Sequence, residues 1–406
     1  MTELRKIAAL LIILAMIAGL SGCSFLASLI PTTQTHDIAD PNTYIDEFKD
    51  HRQYIELESH LKKCYGTLYT ALTNGFKTDD TVTIPAADSR STIGIAVELP
   101  SDLNGESEAK KLYTAFLYDN PQFFYINNVY GLEGYESEGN SYYNKMVLSY
   151  TMDADARNEA KVKLDAVVDD ILREAPQTTD EYLSELYLHD KVAALCTYDT
   201  DAANTDFRSY PHAYTAYGAL VRGKAVCEGY SRAMQLLLNR IGIANTLVIG
   251  KSLSDGVKHM WNFVSINGSD YHLDVCWNDS SDIIRHNYFN VTTAQLALTH
   301  QIDDNQAAIA NCTATKDNYF CRNDLFIDTY SRQTIAQKIA AQIKKGETQI
   351  ELFFASNKFD SALLFLKNRR AAEEQIEPHL AGSGYSLWEY ILYSDADEHI
   401  LCIRKK

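Results

Sequence analysis

The sequence predicts an α+β fold in which a helix bearing Cys227 packs on an antiparallel sheet bearing His259 and Asp274, with α+β modules on either side. Three observations carry this. After Cys227 the apolar residues Tyr230, Met234, Leu237, Leu238 and Ile241 recur at helical spacing up to a stop at Gly242. Between His259 and Asp274 two β-rich runs flank Asn267-Gly268, the strongest short hairpin signal. Helical patterns and strand-like runs also alternate before and after this core.

In chain order, Met1 to Lys6 carries Arg5 and Lys6, and Ile7 to Leu20 is almost wholly apolar, the pattern of a secretory leader. The apolar run is too short to span a bilayer as a stable helix. It ends in Leu20-Ser21-Gly22-Cys23, which resembles a bacterial lipobox. The resemblance implies a lipoprotein signal peptide over 1–22, cleavage before Cys23 and lipid on its sulfur, where two acyl chains give a stable anchor. Residues 23–42, with Pro31-Thr32-Thr33-Gln34-Thr35, read as a polar tether. The expected location is the outer face of a bacterial cell membrane.

An N-terminal α+β module is expected over 43–175. It opens with the helical pattern Leu57, Leu61, Tyr65, Leu68 and Leu72 and closes with Leu164, Val168, Ile171 and Leu172; Phe123 to Ile126 and Met146 to Tyr150 read as strands between them. Thr178 and Glu181 form a capping-box pattern that starts the central core, 176–330. In a C-terminal αβ module, 331–406, a helix with Ile335, Ile339 and Ile343 stops at Gly346. Strand Gln349 to Ala355, helix Phe359 to Asn368 and strands Leu387 to Tyr393 and His399 to Ile403 follow.

The hairpin carries a register. With Asn267 and Gly268 as its two loop residues, Ile266 faces Ser269, Trp261 faces Asp274 and His259 faces Cys276. Side chains alternate along a strand, so His259 and Trp261 share a face with Asp274, as diagonal neighbours whose side chains can touch. A loop one residue longer would send them to opposite faces. At the start of its helix, Cys227 would meet unpaired backbone N–H groups and the positive end of the dipole, which favour a thiolate.

These residues resemble the bacterial transglutaminase-like superfamily, which shares papain-type thiol chemistry. The resemblance rests on His212 to Leu220, Gly223 to Tyr230, His259-Met260-Trp261-Asn262 and Tyr271-His272-Leu273-Asp274. Leu188-His189-Asp190, Thr197-Tyr198-Asp199 and Ala202-Ala203-Asn204 fit it upstream. It covers roughly residues 178 to 300 and implies a transglutaminase-like, papain-like core with nucleophile Cys227, general base and acid His259 and orienting carboxylate Asp274. The pattern departs at Cys276, where relatives usually carry Thr, so a second thiol competes for the role. Oxyanion donors are expected at the Cys227 N–H and, as a side chain, at Tyr217; Trp261 and His272 read first as packing and second as site walls.

The chemistry this implies is attack of Cys227 on an amide carbonyl, a thioester, and resolution by water or a second amine. Hydrolysis of peptide or isopeptide bonds in protein or cell-wall peptide substrates is favoured, because no dedicated amine-acceptor site stands out. The competing reading is a surface lipoprotein whose groove binds such ligands without catalysis. Cys227, His259, His272, Asp274 and Cys276 could all ligate metal, but no Cys-x-x-Cys or His-Glu-x-x-His spacing is present, so neither metal nor cofactor is expected. The formal charge is −17, and removal of 1–22 with Arg5, Lys6 and Glu3 leaves −18, which disfavours nucleic acid as a partner. Among the remaining cysteines, Cys312 and Cys321 are the pair most suited to a disulfide.

Overall fold

The computed structural model describes residues 51–84, 91–205, 207–280, 283–304, 311–395 and 399–406, with Phe48, Gln306 and Ile309. The secretory leader, Cys23 and the tether lie outside the described residues. No helix among the described residues is long and apolar enough to cross a membrane. Asp46–Lys406 forms one compact unit.

Three four-stranded sheets follow one another along the chain. The first contains β1 (Asp80–Thr83), β2 (Ser91–Asn104), β3 (Ile126–Ser137) and β4 (Asn140–Tyr150) in the order β1-β2-β4-β3. Helix Ser59–Asn74 buries Leu61, Tyr65, Leu68 and Leu72, and helix Ala154–Glu174 buries Leu164, Val168 and Ile171, at the spacing expected of them. Of the run Phe123 to Ile126 only Ile126 is strand. The other three rings form an aromatic cluster in turns, Phe116 stacked on Phe123 at 5.5 Å and Phe123 edge-on to Tyr125 at 6.1 Å, so side-chain packing overrides their strand propensity.

The second sheet holds the site. Short parallel strands β5 (Thr197–Tyr198) and β6 (Lys224–Ala225) lead into helix Cys227–Arg240. Strands β7 (Asn245–Ser252), β8 (Lys258–Ile266) and β9 (Ser269–Leu273) then pair antiparallel. After the small ribbon β10 (Asp279–Ser280) and β11 (Ile283–Ile284), β12 (His300–Ile302) joins at the edge, giving the order β12-β7-β8-β9. Ile266 pairs with Ser269 and Asn262 with Leu273, and Asn267 and Gly268 both take positive φ, 49° and 78°, as a two-residue primed turn requires. Strand β9 ends at Leu273. Asp274 caps the short helix Val275–Asn278, so Cys276 sits on that helix and does not pair with His259 as expected.

Helix Glu181–Leu195 starts as expected, but the capping box does not form: Asp180 is the N-cap and makes no side-chain cap bond. Glu181 instead accepts the backbone N–H of Asn267 at 2.5 Å, tying this helix to the hairpin turn. A positive-φ turn has backbone donors that its own strands do not satisfy, and a nearby carboxylate meets one of them.

The third sheet, β13 (Phe326–Ile327), β14 (Gln349–Phe354), β15 (Tyr390–Asp395) and β16 (Ile400–Lys405), has the order β13-β14-β16-β15, with β13 parallel to β14. Helix Arg332–Lys345 buries Ile335, Ile339 and Ile343 and ends at Gly346 in the left-handed region, φ 85°. Two helices, Phe359–Lys367 and Arg369–Leu380, cover the sheet where one was expected. Cys321 carries a free thiol, so the Cys312–Cys321 bridge is not formed.

Candidate active site

Cys227 is the first residue of its helix, with Val226 as N-cap in extended backbone. The Cys227 and Glu228 N–H groups at this start have no carbonyl a turn earlier to accept them and point toward the sulfur's end of the helix. Two contacts hold the turn. Val226 donates its N–H to Ala213 O at 2.9 Å, and a Cβ on Gly229 would lie 2.5 Å from that same carbonyl, so only glycine lets the 213–215 backbone come this close. The Ser231 hydroxyl shares its proton between Cys227 O at 2.9 Å and Met260 O at 3.0 Å, and Asn262 donates to Ser231 O at 3.0 Å, pinning the helix start on β8.

On β8, His259 lies opposite Gly250, and on β7 Ser252 lies opposite His300 of β12. Paired residues and alternate residues share a face, so His259, Trp261 and His300 project to one side. A Cβ on Gly250 would meet the Trp261 ring at 2.7 Å, which leaves glycine as the residue that lets this indole lie flat beneath the site. Trp261 is fully buried; it stacks on His259 at 5.9 Å and gives its indole N–H to His272 Nδ1 at 3.2 Å. It is a floor, not an exposed wall. His272 is likewise structural: burial pushes its imidazole down to about 4, and Nε2 meets the Thr293 hydroxyl at 3.1 Å.

His259 Nε2 donates to Asp274 Oδ2 at 2.6 Å, and the Cys227 sulfur is near enough to raise the same imidazole. With Nε2 committed to the carboxylate, Nδ1 is the nitrogen left for sulfur. Burial works against a charged His259, but the Asp274 carboxylate and the Cys227 sulfur outweigh it and lift the imidazole to about 10. Burial would likewise raise Asp274, yet His259 and His300 hold it well below the usual carboxylate range. Asp274 Oδ1 accepts the Trp277 N–H at 3.1 Å, so the cap geometry that ends β9 also orients the acid.

Three further residues join the site. His300 Nε2 reaches Asp274 Oδ2 at 3.2 Å, the same oxygen that holds His259. Half-buried Trp277 covers both rings, at 5.4 Å from His259 and 4.2 Å from His300. The Tyr198 phenol is pushed up by burial and by the Cys227 and Cys276 charges. Tyr198 lies inside the quoted Thr197-Tyr198-Asp199 motif, and Trp277 three residues after the one ending at Asp274, so both could have been picked out as aromatic neighbours. His300 carried no spacing signal, because a separate edge strand delivers it.

Tyr217, the expected side-chain oxyanion donor, stacks on Phe124 at 5.2 Å and meets His212 edge-on at 5.8 Å. Its ring is engaged there. The second thiol, Cys276, is buried and driven well above the ordinary thiol range by burial and the Asp274 charge, so it is held as neutral S–H. Two groups bring metal-type ligands together among the described residues: His259 with Asp274 and His300, and His189 with Asp190 and His286.

Residues 168–275 match the family model described as the transglutaminase-like superfamily. No curated protein matches the chain in sequence. Among solved structures, similarity is found to a TGase at 19% identity, covering 38% of this chain and 46% of that one, TM-score 0.27. A proposed cysteine protease from Cytophaga hutchinsonii is similar at 12% identity, covering 37% of this chain and 63% of that one, TM-score 0.24. A proposed protease from Parabacteroides distasonis is similar at 10% identity, covering 35% and 30%, TM-score 0.22. The chain spans less than two thirds of each. Residues 168–275 therefore form a transglutaminase-like domain within this chain.

Proposed function

We propose that the protein is a lipid-anchored, extracytoplasmic thiol enzyme that cleaves peptide or isopeptide amide bonds through Cys227, His259 and Asp274. One observation carries the reading: His259 lies between the Asp274 carboxylate, 2.6 Å from Nε2, and the Cys227 thiol, at the start of a helix. A buried acid, an imidazole and a thiol in that order form a proton path to and from sulfur.

In this reading, proton transfer from Cys227 to His259 gives a thiolate and an imidazolium, which Asp274 stabilises. The sulfur adds to the amide carbonyl carbon, and the oxyanion is met by the Cys227 backbone N–H with Tyr198 as the side-chain donor at hand. The imidazolium protonates the amide nitrogen, the C–N bond breaks, the amine leaves, and a thioester remains. His259 then takes a proton from water, hydroxide adds to the thioester, and collapse releases the carboxylic acid and returns the proton to sulfur. An amine in place of water would give transamidation. Water is favoured because the sequence marks no dedicated amine-acceptor site.

Iodoacetamide labelling tests the nucleophile. At about pH 6, Cys227 should react many-fold faster than a free thiol, and Cys227→Ala should abolish both labelling and hydrolysis of casein or wall muropeptides, whereas Cys276→Ala should keep both. Labelling of Cys227 no faster than a free thiol would sink the mechanism. Incubation with a glutamine donor and a fluorescent amine separates transfer from hydrolysis. The anchor rests on the leader and lipobox pattern ending at Cys23. Cys23→Ala should move the protein from the detergent phase to the aqueous phase.

A further inference from the structure

We propose that Asp274 and the two imidazoles sharing its Oδ2, those of His259 and His300, form a Zn²⁺ site that holds the triad in an arrested state. The arrest rests on the function proposed above; the ion site stands on its own geometry.

The three ligand atoms lie within 4.8 Å of one another. His259 Nε2 and His300 Nε2 stand 2.6 and 3.2 Å from Asp274 Oδ2. Zinc bonds of ~2.0–2.1 Å at tetrahedral angles put neighbouring ligands about 3.3 Å apart. His300 already has that spacing, and His259 has only to open by about 0.7 Å relative to it. Two imidazole nitrogens and one carboxylate oxygen form a three-ligand set typical of zinc with an open fourth position.

The outer atoms of the set are held as a metal site requires. The Thr299 hydroxyl lies 2.8 Å from His300 Nδ1 and donates to Leu296 O at 3.4 Å, so its lone pair can accept an Nδ1–H once Nε2 turns from Asp274 to the ion. Asp274 Oδ1 is fixed by the Trp277 N–H, and the remaining nitrogen of His259 faces the Cys227 sulfur. Trp277 packs over both imidazoles and is only half-buried, so its indole marks the side from which an ion reaches them. On binding, His259 Nε2 gives up to solvent the proton it donated to Asp274, His300 carries its proton on Nδ1, and His259 can no longer carry a proton between sulfur and leaving group.

The other ligand-type group does not share this arrangement. Tyr288 N donates to Asn278 Oδ1 at 2.9 Å, which turns the Asn278 amide N–H₂ toward His189 Nε2 at 3.0 Å. The His189 proton is therefore on Nδ1, donated to Asp190 at 2.8 Å, in the position a metal would take.

The full-length protein, freed of metal with a chelator, is titrated with zinc sulfate against a chromophoric zinc indicator. The expected result is tight uptake of one ion, weakened at least tenfold by His300→Asn and retained in Cys227→Ser, with a smaller loss in Thr299→Val. Near-UV circular dichroism reports which variants are folded, and Thr299→Val decides if His300→Asn is not. No stoichiometric uptake by the folded protein, equal affinity in the folded His300→Asn or Thr299→Val variant, or loss of uptake in Cys227→Ser would overturn the site. Hydrolysis by the zinc-free protein is scored separately, so a zinc-binding chain without amide hydrolysis defeats the enzyme reading alone.

Discussion

The proton on His259 decides what the site can do, and Asp274 decides how tightly it is held. His259 is raised from 6.5 to about 10 in the folded chain. A raised histidine contributes stability that is fully present below pH 6.5 and lost as pH rises through about 10, so the Asp274–His259 contact should weaken across that interval. Asp274→Asn removes the charge while keeping the shape, and kcat/KM for amide hydrolysis should fall on the order of 10³ to 10⁴, with the alkaline limb of the pH profile moving toward neutrality. A variant with wild-type kcat/KM and an unmoved limb would remove Asp274 from the mechanism.

Among the elements, the edge strand β12 and the β8–β9 turn set where the imidazoles stand. Gly250→Ala places a Cβ 2.1 Å from Gln301 O and 2.7 Å from Trp261, so β12 or the indole must move. Stability should drop by about 1–3 kcal/mol in urea unfolding, and hydrolysis should fall by more than the folded fraction does, because β12 carries His300. Gly268 sits at φ 78° with open space around its Cβ position, so strain there is confined to the backbone. Gly268→Ala should cost about 1 kcal/mol in the same assay and leave hydrolysis by the folded fraction close to wild type. A Gly250→Ala enzyme as active per folded molecule as Gly268→Ala would show that the strand is not positioned this closely.

Across the whole molecule, buried polar contacts tie the flanking parts to the catalytic helix and its surroundings. Arg232 donates to Leu117 O and Gln235 to Tyr118 O, both at 2.6 Å, joining helix Cys227–Arg240 to the end of helix Gly105–Asp119. On the other side, buried Glu351 of β14 accepts from His286 Nδ1 at 2.8 Å and from its backbone N–H at 3.0 Å. Burial opposes the charge on His286, but Glu351 and Asp190 lift it from 6.5 to about 9. The resulting stabilisation is full below pH 6.5 and lost as pH rises through about 9. Glu351→Gln should therefore lower stability by about 1–3 kcal/mol under mildly acidic conditions, and the gap in thermal midpoint should narrow as pH passes about 9. A gap that stays constant across that range would mean the two groups are not electrostatically paired.

By itself the sequence determined the elements whose cause is local. The run after Cys227 makes its helix because apolar residues recur at 3.6-residue spacing before Gly242. Asn267-Gly268 sets the hairpin register because both residues accept positive φ, and that register puts His259 and Asp274 on one face. Tertiary structure decided whatever depends on contacts between distant segments. His300 reaches Asp274 from an edge strand, Glu181 leaves its own helix cap to bind the turn, and Phe124 takes up the Tyr217 ring. Backbone conformation follows from neighbours in sequence. A buried donor or acceptor takes whichever partner folding brings within hydrogen-bond reach, and no spacing in the chain records that choice.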